Sequence, residues 1–384
     1  MSNITQSKPK KKPANDAASV SFAALRPRIE RNIVLPTETV TSDGDRVKWG
    51  DGNAYPDYLL SLYEDVTDLA AVINGTVDYV GGDDVTIDPS AFPTGKVNHD
   101  GDEPRDLVRD LARDYLLYGG FAVLVIRNAL GEVAELYYVD LRFLRSNSEN
   151  TVFYYSEKWG DRSSNKKEIT YPAYMPDLTW ADLDEKARNE HAASIVFYKL
   201  NKSHVYPRPI YGPAVKACEA ERAIDEYHLN AVENSFVASA IVNFNNGIPS
   251  DDVKAEIERT FTEKFSGSSN AGRVLFSWNP DKDSATTIDY PKVEDFGEKY
   301  NALAKNSRQR IFTAFRANPN LFGIPTESLG FSSEEYDTAF RLFNRTMVQP
   351  IQKTIADILA YIFGRDVLTI FPFTLDGAGE GAVE

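Results

Sequence analysis

Apolar residues recur at helical spacing from Leu59 through Leu62, Val66, Leu69, Ile73 and Val77 until Gly81-Gly82 stops the pattern, which predicts an amphipathic helix with one buried stripe. A second helix is predicted from Pro104, a residue tolerated in a first turn; it carries Leu107, Leu111 and Tyr115 on one face and ends at Gly119-Gly120. A hairpin follows. Residues 121–127 and 132–139 are rich in β-branched and aromatic side chains, and Asn128-Ala129-Leu130-Gly131 between them supplies the glycine that a short hairpin loop favours. Residues 151–158, 167–174 and 194–200 read as further strands, separated by the polar loop Gly160 to Lys167 and a short acidic helix near 179–190. Their density of Tyr and Phe suits base stacking or sugar binding, but a half-buried sheet uses the same alternating aromatics.

In the second half, Pro213 opens a helix reaching about Phe236, and another helix runs from about Asp295 to Ala317, each roughly 35 Å long at 1.5 Å per residue. Equal lengths predict an antiparallel pair. Residues 237–294 between them read as a β-α-β insert: a strand from Ala238 to Phe244, a helix N-capped by Ser250 with Val253, Ile257, Phe261 and Phe265 inward, and a strand from Arg273 to Trp278. Such a small insert makes a thin core and is expected to lean on neighbouring copies. The last helix begins at Ser332-Ser333-Glu334-Glu335, with capping-box spacing, and its stripe runs from Tyr336 to Ile362 before Gly364. Pro350 lies inside the stripe, so a kink is expected near 346–350 rather than two helices. Residues 367–373 predict one more strand, and the terminal glycines lack the βαβ context of a dinucleotide fingerprint. The whole is an α+β chain.

Composition then narrows the partners. The 384 residues carry a net charge of −15, and because positions 1–32 hold seven basic and two acidic residues, the remainder stands at −20. Residues 1–22, with Lys8, Lys10, Lys11 and Lys12 among prolines, read as a disordered basic arm. An acidic body does not grip phosphate over most of its surface, so nucleic acid must be met locally or loosely. One cysteine, Cys218, excludes an intramolecular disulfide and a Cys-based zinc site. No apolar run approaches a membrane span, and a soluble, unsecreted protein in a reducing compartment is expected, with no membrane partner; sequon-like triplets such as Asn74-Gly75-Thr76 then carry no information.

Catalytic patterns are missing. The four histidines, His99, His191, His204 and His228, show no ligand spacing, no phosphate-cradling loop is present, and Asp281-Lys282-Asp283 lacks the glycine and distal glutamate of a calcium loop. Acidic pairs such as Asp83-Asp84 and Asp251-Asp252 fit turns and caps. The expectation is a non-enzyme without cofactor or metal.

The order of elements, with the words Tyr79-Val80-Gly81-Gly82, Asp114-Tyr115-Leu116-Leu117-Tyr118-Gly119-Gly120-Phe121-Ala122, Ile210-Tyr211-Gly212-Pro213, Asn270-Ala271-Gly272-Arg273 and Ile311-Phe312-Thr313-Ala314-Phe315 leading to Asn320-Leu321-Phe322-Gly323-Ile324, resembles the portal (head-to-tail connector) proteins of tailed bacteriophages over most of residues 50–364. The resemblance implies a mixed α/β wing (23–212), two antiparallel stem helices (213–236 and 295–317) bearing a small β-α-β clip (237–294), a channel or tunnel loop (318–333), a long kinked helix (334–364), and a terminal strand with a flexible tail (365–384). It further implies a ring, usually of twelve copies, at the unique capsid vertex: a conduit for double-stranded DNA in packaging and ejection. Implied partners are the large terminase, a head-tail adaptor and the major capsid or scaffold protein; implied locations are the virion and, during assembly, the host cytoplasm. Candidates for the channel face are Glu219, Asp225, Glu226 and Glu233 in the first stem helix and Asn318, Asn320, Glu327 and Ser328 near the loop; candidates for partner contact in the clip are Asn245, Asn246, Ser268, Asn270 and Arg273. Arg308, Arg310 and Arg316 are expected to bridge to neighbours or to favour a helix C-terminus. The alternative is another phage head or assembly structural protein without a DNA channel.

Overall fold

The computed structural model describes residues 19–20, 33–41, 45–159, 168–233, 240–244, 249–265, 274–278, 296–324 and 333–374. In chain order these form β1 (Ser19–Val20), β2 (Glu38–Val40), β3 (Arg46–Trp49), α1 (Tyr55–Asp65), α2 (Thr67–Gly81), β4 (Asp84–Ile87), α3 (Pro104–Tyr118), β5 (Gly120–Arg127), β6 (Val133–Val139), β7 (Leu144–Asn147), β8 (Val152–Tyr155) and β9 (Ile169–Pro172). Then come α4 (Glu185–His191), β10 (Ala193–Lys199), α5 (Val215–Glu233), β11 (Ala240–Phe244), α6 (Asp251–Phe265), β12 (Val274–Trp278), α7 (Phe296–Ala314), α8 (Ser333–Phe343), α9 (Gln349–Phe363) and β13 (Leu368–Phe371). The chain divides into a larger unit, Asn32–Arg222 with Asn301–Glu384, and a smaller one, Met1–Arg31 with Ala223–Tyr300; both divisions fall inside helices, α5 and α7.

In the larger unit, the first predicted helix is two. All six residues of its stripe are buried, as the spacing requires, but Val66 is extended (φ −106°, ψ 106°) and separates α1 from α2. Near the new N-terminus, the Asp68 N–H donates to the Glu221 carboxylate at 3.3 Å, a partner 153 residues away that no local pattern reveals. Helix α3 follows its prediction. Glu103 and Asp106 form a reciprocal capping box, Pro104 sits in the first turn, and Gly119 ends the helix at φ 84°. There a Cβ would lie 1.9 Å from the Arg208 carbonyl, so glycine is required for space as well as for conformation.

The predicted hairpin β5–β6 is joined on its other side by β10, all antiparallel. A five-stranded sheet runs β2-β3-β7-β8-β9, and the bridge Ala173↔Ile195 links its β9 end to β10. At its centre, Arg145 of β7 is fully buried, donating to the Asn53 side chain (3.0 Å), the Asn53 carbonyl (2.9 Å) and the Leu144 carbonyl (2.7 Å), with its guanidinium over Trp49 and Trp159. Burial pulls its pKa down to about 10.

The predicted kink resolves into a wide turn. Between α8 and α9 the residues Asn344–Val348 are π-helical, and the backbone stays helical at Phe343, Val348 and Gln349. The widened turn directly precedes Pro350, which has no N–H to give and whose ring crowds the preceding carbonyl in an ordinary α-turn. The expected last strand is β13, paired antiparallel with β4.

In the smaller unit, β11 and β12 are parallel neighbours with α6 between them in the chain, the expected β-α-β arrangement, and Phe244 stacks on the buried Trp278 ring at 4.3 Å. A third strand was not expected. β1 pairs antiparallel with β12, so Ser19 and Val20, read above as part of a disordered arm, are a strand edge; the rest of residues 1–22 lies outside the described residues.

Candidate functional site

Two features of the larger unit involve the sequence-predicted residues. The first lies where the chain enters α5. Tyr211 is buried, stacks on Phe315 (5.5 Å between ring centroids) and donates to the Leu117 carbonyl at 3.1 Å, so the entry to α5 and the end of α7 are both tied to α3. About one turn into α5, Glu219 accepts from the Tyr58 hydroxyl (2.8 Å) and from Arg222 (2.8 and 2.9 Å), while Arg222 also reaches Asp65 at 3.2 Å. Glu221 accepts from the Asp68 backbone, and the Asp68 carboxylate in turn takes both of its contacts from Arg308 Nε of α7, at 2.9 and 3.1 Å. Burial, and then the bond to Glu219, push the Tyr58 hydroxyl well above the usual phenol range.

This network of Asp65, Asp68, Glu219, Glu221, Arg222 and Arg308 fastens the inner ends of α5 and α7 to α1 and α2. It holds no nucleophile beside a base, and no group of acidic, histidine or cysteine side chains among the described residues is arranged to hold a metal. Cys218 is buried and its thiol is pushed up to about 12 by that burial, which keeps it protonated and unreactive. The arrangement is one of mechanical attachment.

The second feature follows α7. Arg316 adopts a left-handed conformation (φ 54°), the Asn318 side chain accepts from the Asn320 N–H at 3.0 Å, and Gly323 (φ 73°) closes the short helical turn Pro319–Phe322. Phe322 packs edge-on against Tyr79, Phe312 and Phe343, and the Tyr79 hydroxyl donates to the Leu321 carbonyl at 2.9 Å. The chain therefore enters 325–332 from a rigid aromatic socket. Beside it, a groove of about 1040 Å³ has basic residues Lys305, Arg308 and Arg316 along it and Phe312 and Leu342 in its walls.

Several expectations change. Glu219 is only 8 % exposed and bound inside the subunit, so it is corrected from a channel-face candidate to a structural anchor. Arg308 likewise binds Asp68 of its own chain. Asp225 is exposed and Glu226 half-buried; both belong to the smaller unit, where Glu233 ends α5. Asn318 and Asn320 are half-buried turn residues, whereas Glu327, Ser328, Asn245, Asn246, Ser268, Asn270 and Arg273 lie outside the described residues. The pairing of Asp68 with Glu221 and Arg308 was not anticipated; the one local hint is Asp68 in the first turn after Val66, a position that attracts acids but does not name a partner.

The sequence profile of phage portal proteins matches residues 82–376, more than half of the chain. The chain belongs to the phage portal protein family. The match takes in α5, the paired strands β11 and β12, α7 and the Phe322 turn. The family is one of structural proteins, not enzymes, which agrees with the lack of a catalytic constellation in the sequence. An uncharacterised protein of Rickettsia felis is 30 % identical over 134 residues, 34 % of this chain, and the match spans 33 % of that protein's length. Among solved structures, a chain in the neck of an empty gene transfer agent particle, computed with C6 symmetry, aligns with a TM-score of 0.51 at 16 % identity over 83 % of this chain and 85 % of that one. A chain from the neck of the native particle, computed with C12 symmetry, gives 0.50 at 16 % identity, covering 83 % and 84 %. At this identity the likeness is one of fold.

Proposed function

We propose that the chain is one subunit of a portal ring, of twelve copies, at the unique vertex of a phage capsid. It forms the conduit for double-stranded DNA during packaging and ejection and the dock for the large terminase, the head-tail adaptor and the surrounding capsid or scaffold protein. The observation that carries this reading is the family match across residues 82–376. The ring and its virion location draw support from the neck particles with twelvefold and sixfold symmetry that contain chains of similar fold; assembly in the host cytoplasm follows from the same reading. Residues 213–236 and 295–317 then serve as stem, 237–294 as clip and 318–333 as channel loop, with Asp225 and Glu226 the channel-face candidates that the fold leaves open. Glu233, Glu327 and Ser328 keep that role as proposals, as do the clip candidates Asn245, Asn246, Ser268, Asn270 and Arg273 for partner contact.

Charge balance is consistent with a conduit. Each phosphate neutralised by a cation adds salt-dependent affinity that would stall a moving duplex. Twelve copies at −15 sum to −180, so net repulsion is available to such a ring. The test is mass photometry and negative-stain imaging of the purified chain. Rings of many 42.9 kDa subunits with a hole wide enough for duplex DNA are expected. Monomers at every concentration would overturn the reading, and a ring with no through-channel would favour a head or assembly protein that is not a conduit.

A further inference from the structure

Charge is unevenly divided within the larger unit. Residues 49–95 hold nine acidic residues and no Lys, Arg or His, whereas 301–324 hold Lys305, Arg308, Arg310 and Arg316 and no acid. Four of the nine acids are answered within the chain: Asp65 by Arg222, Asp68 by Arg308, Asp78 by Arg109 and Asp88 by Arg365. The face of α1 that carries Asp57, Leu60 and Glu64 is different. These residues are three and four apart, so they form one ridge about 10 Å long, with an apolar side chain between two carboxylates. Asp57 and Glu64 are exposed, Leu60 is half-buried, and neither acid has an ion-pair partner among the described residues. The groove lined by α7 and α8 has the opposite character. Lys305, Arg308 and Arg316 lie along it, Leu342 in its wall is 64 % exposed, and Arg316 is exposed with no ion-pair partner among the described residues.

Resting on the ring reading above, we propose that the α1 ridge of one copy docks in the α7–α8 groove of the next, the carboxylates of Asp57 and Glu64 meeting Lys305 and Arg316, and Leu60 meeting Leu342. A chain's own ridge does not fill its groove: the described lining falls entirely between Asn301 and Phe343, and α1 is fastened through Tyr58 and Asp65 to Glu219 and Arg222 of α5. A closed ring is built from head-to-tail contacts, which need two different surfaces of one chain that complement each other, and ridge and groove are such a pair. Copies carrying −15 apiece repel, so contacts of opposite sign at the boundary are needed to offset that repulsion. A duplex backbone would answer the cations but leave Leu342 without an apolar partner, so the mixed groove fits a protein ridge better.

The experiment uses two full-length variants. One reverses the groove (Lys305→Glu with Arg316→Glu) and the other the ridge (Asp57→Lys with Glu64→Lys); all four positions are exposed, and Arg308 is left to Asp68. Mass photometry follows ring formation against protein concentration. Each variant alone sets like charges against each other at every boundary, so the concentration at which rings form should rise about tenfold or more. Mixed in equal amounts, the two can alternate around a ring so that every groove meets a ridge of opposite sign, and the threshold should fall back to within about threefold of the unaltered chain. The milder pair Arg316→Gln and Glu64→Gln removes charge without reversing it: each should raise the threshold, and together they should raise it less than additively. Either reversed variant forming rings as the unaltered chain does, a mixture that stays without rings, or additive effects of the neutral pair would overturn the docking and leave the ring reading standing. Groove reversal that keeps the rings but weakens their retention of duplex DNA would overturn it in favour of a nucleic-acid contact. Absence of rings from the unaltered chain would overturn both.

Discussion

Gly75 in α2 tests how tightly the chain is held where it enters 325–332. A Cβ built at this glycine would lie 2.5 and 2.8 Å from two ring carbons of Phe322, closer than side chains approach in folded proteins. On an open helix surface, Gly75→Ala would stabilise by about 1 kcal/mol. Here the Phe322 ring must retreat by about 1 Å, and Tyr79, Phe312 and Phe343 surround it with centroids 5.6 to 6.1 Å away. Overpacking of this kind costs about 1–3 kcal/mol, so the net effect is a loss of roughly 0–2 kcal/mol. At about 2–4 °C per kcal/mol for a unit of this size, the melting temperature falls by up to ~8 °C. The decisive measurement is a double-mutant cycle with Phe322→Ala, followed by thermal and urea unfolding. In the Phe322→Ala background the collision is gone, and Gly75→Ala should turn stabilising by about 1 kcal/mol. Equal effects in the two backgrounds, or a gain of about 1 kcal/mol from Gly75→Ala alone, would refute the reasoning.

Three further outcomes are expected. Glu219→Ala leaves Arg222 and the Tyr58 hydroxyl without their shared acceptor and should cost roughly 2–4 kcal/mol in urea unfolding, whereas an exposed channel-wall glutamate would cost almost nothing. Asp114 is buried, accepting from Tyr138 (2.9 Å) and the Leu141 N–H, and burial raises its pKa well above the carboxylate range. The native state then binds a proton that the unfolded chain releases above about pH 4, so this group's contribution falls as pH rises from there toward its native pKa, and Asp114→Asn should flatten that slope in urea midpoints measured from pH 4 to 8. If Asp225 and Glu226 face the channel, Asp225→Lys with Glu226→Lys should make rings retain linear duplex DNA at low salt and release it as salt rises; unchanged retention would remove both from the channel wall.

Much of this fold could be read from periodicity, and the failures share a cause. The stripe from Leu59 to Val77, the capped helix α3, the β5–β6 hairpin and the β-α-β order around α6 are set by neighbours in sequence, so spacing and capping residues announce them. Strands β2, β3, β4 and β7 are three or four residues long, too short to show a period of two, and exist because the adjacent strand supplies their partners. Pro350 marked where the last helix must yield, but proline alone does not say whether the backbone bends or widens into the π-turn found at Asn344–Val348. Among the site residues, Asp225 could be taken as exposed from the sequence, whereas Glu219, one helical turn and a half earlier, could not be distinguished from it.

By itself the sequence determined the chain's chemistry: an acidic body behind a basic arm, a single cysteine, no catalytic spacing, and a succession of elements resembling portal proteins. Those properties depend on residue type and local order, which survive in a linear text. Tertiary structure decided which charges face inward and which segments meet. Arg308 finds Asp68 across 240 positions, Tyr58 finds Glu219 across 161, and Ser19–Val20 finds the edge of β12. Such contacts arise because buried polar groups and strand edges must be satisfied by whatever the folded chain brings within 3 Å, and that choice is made by topology.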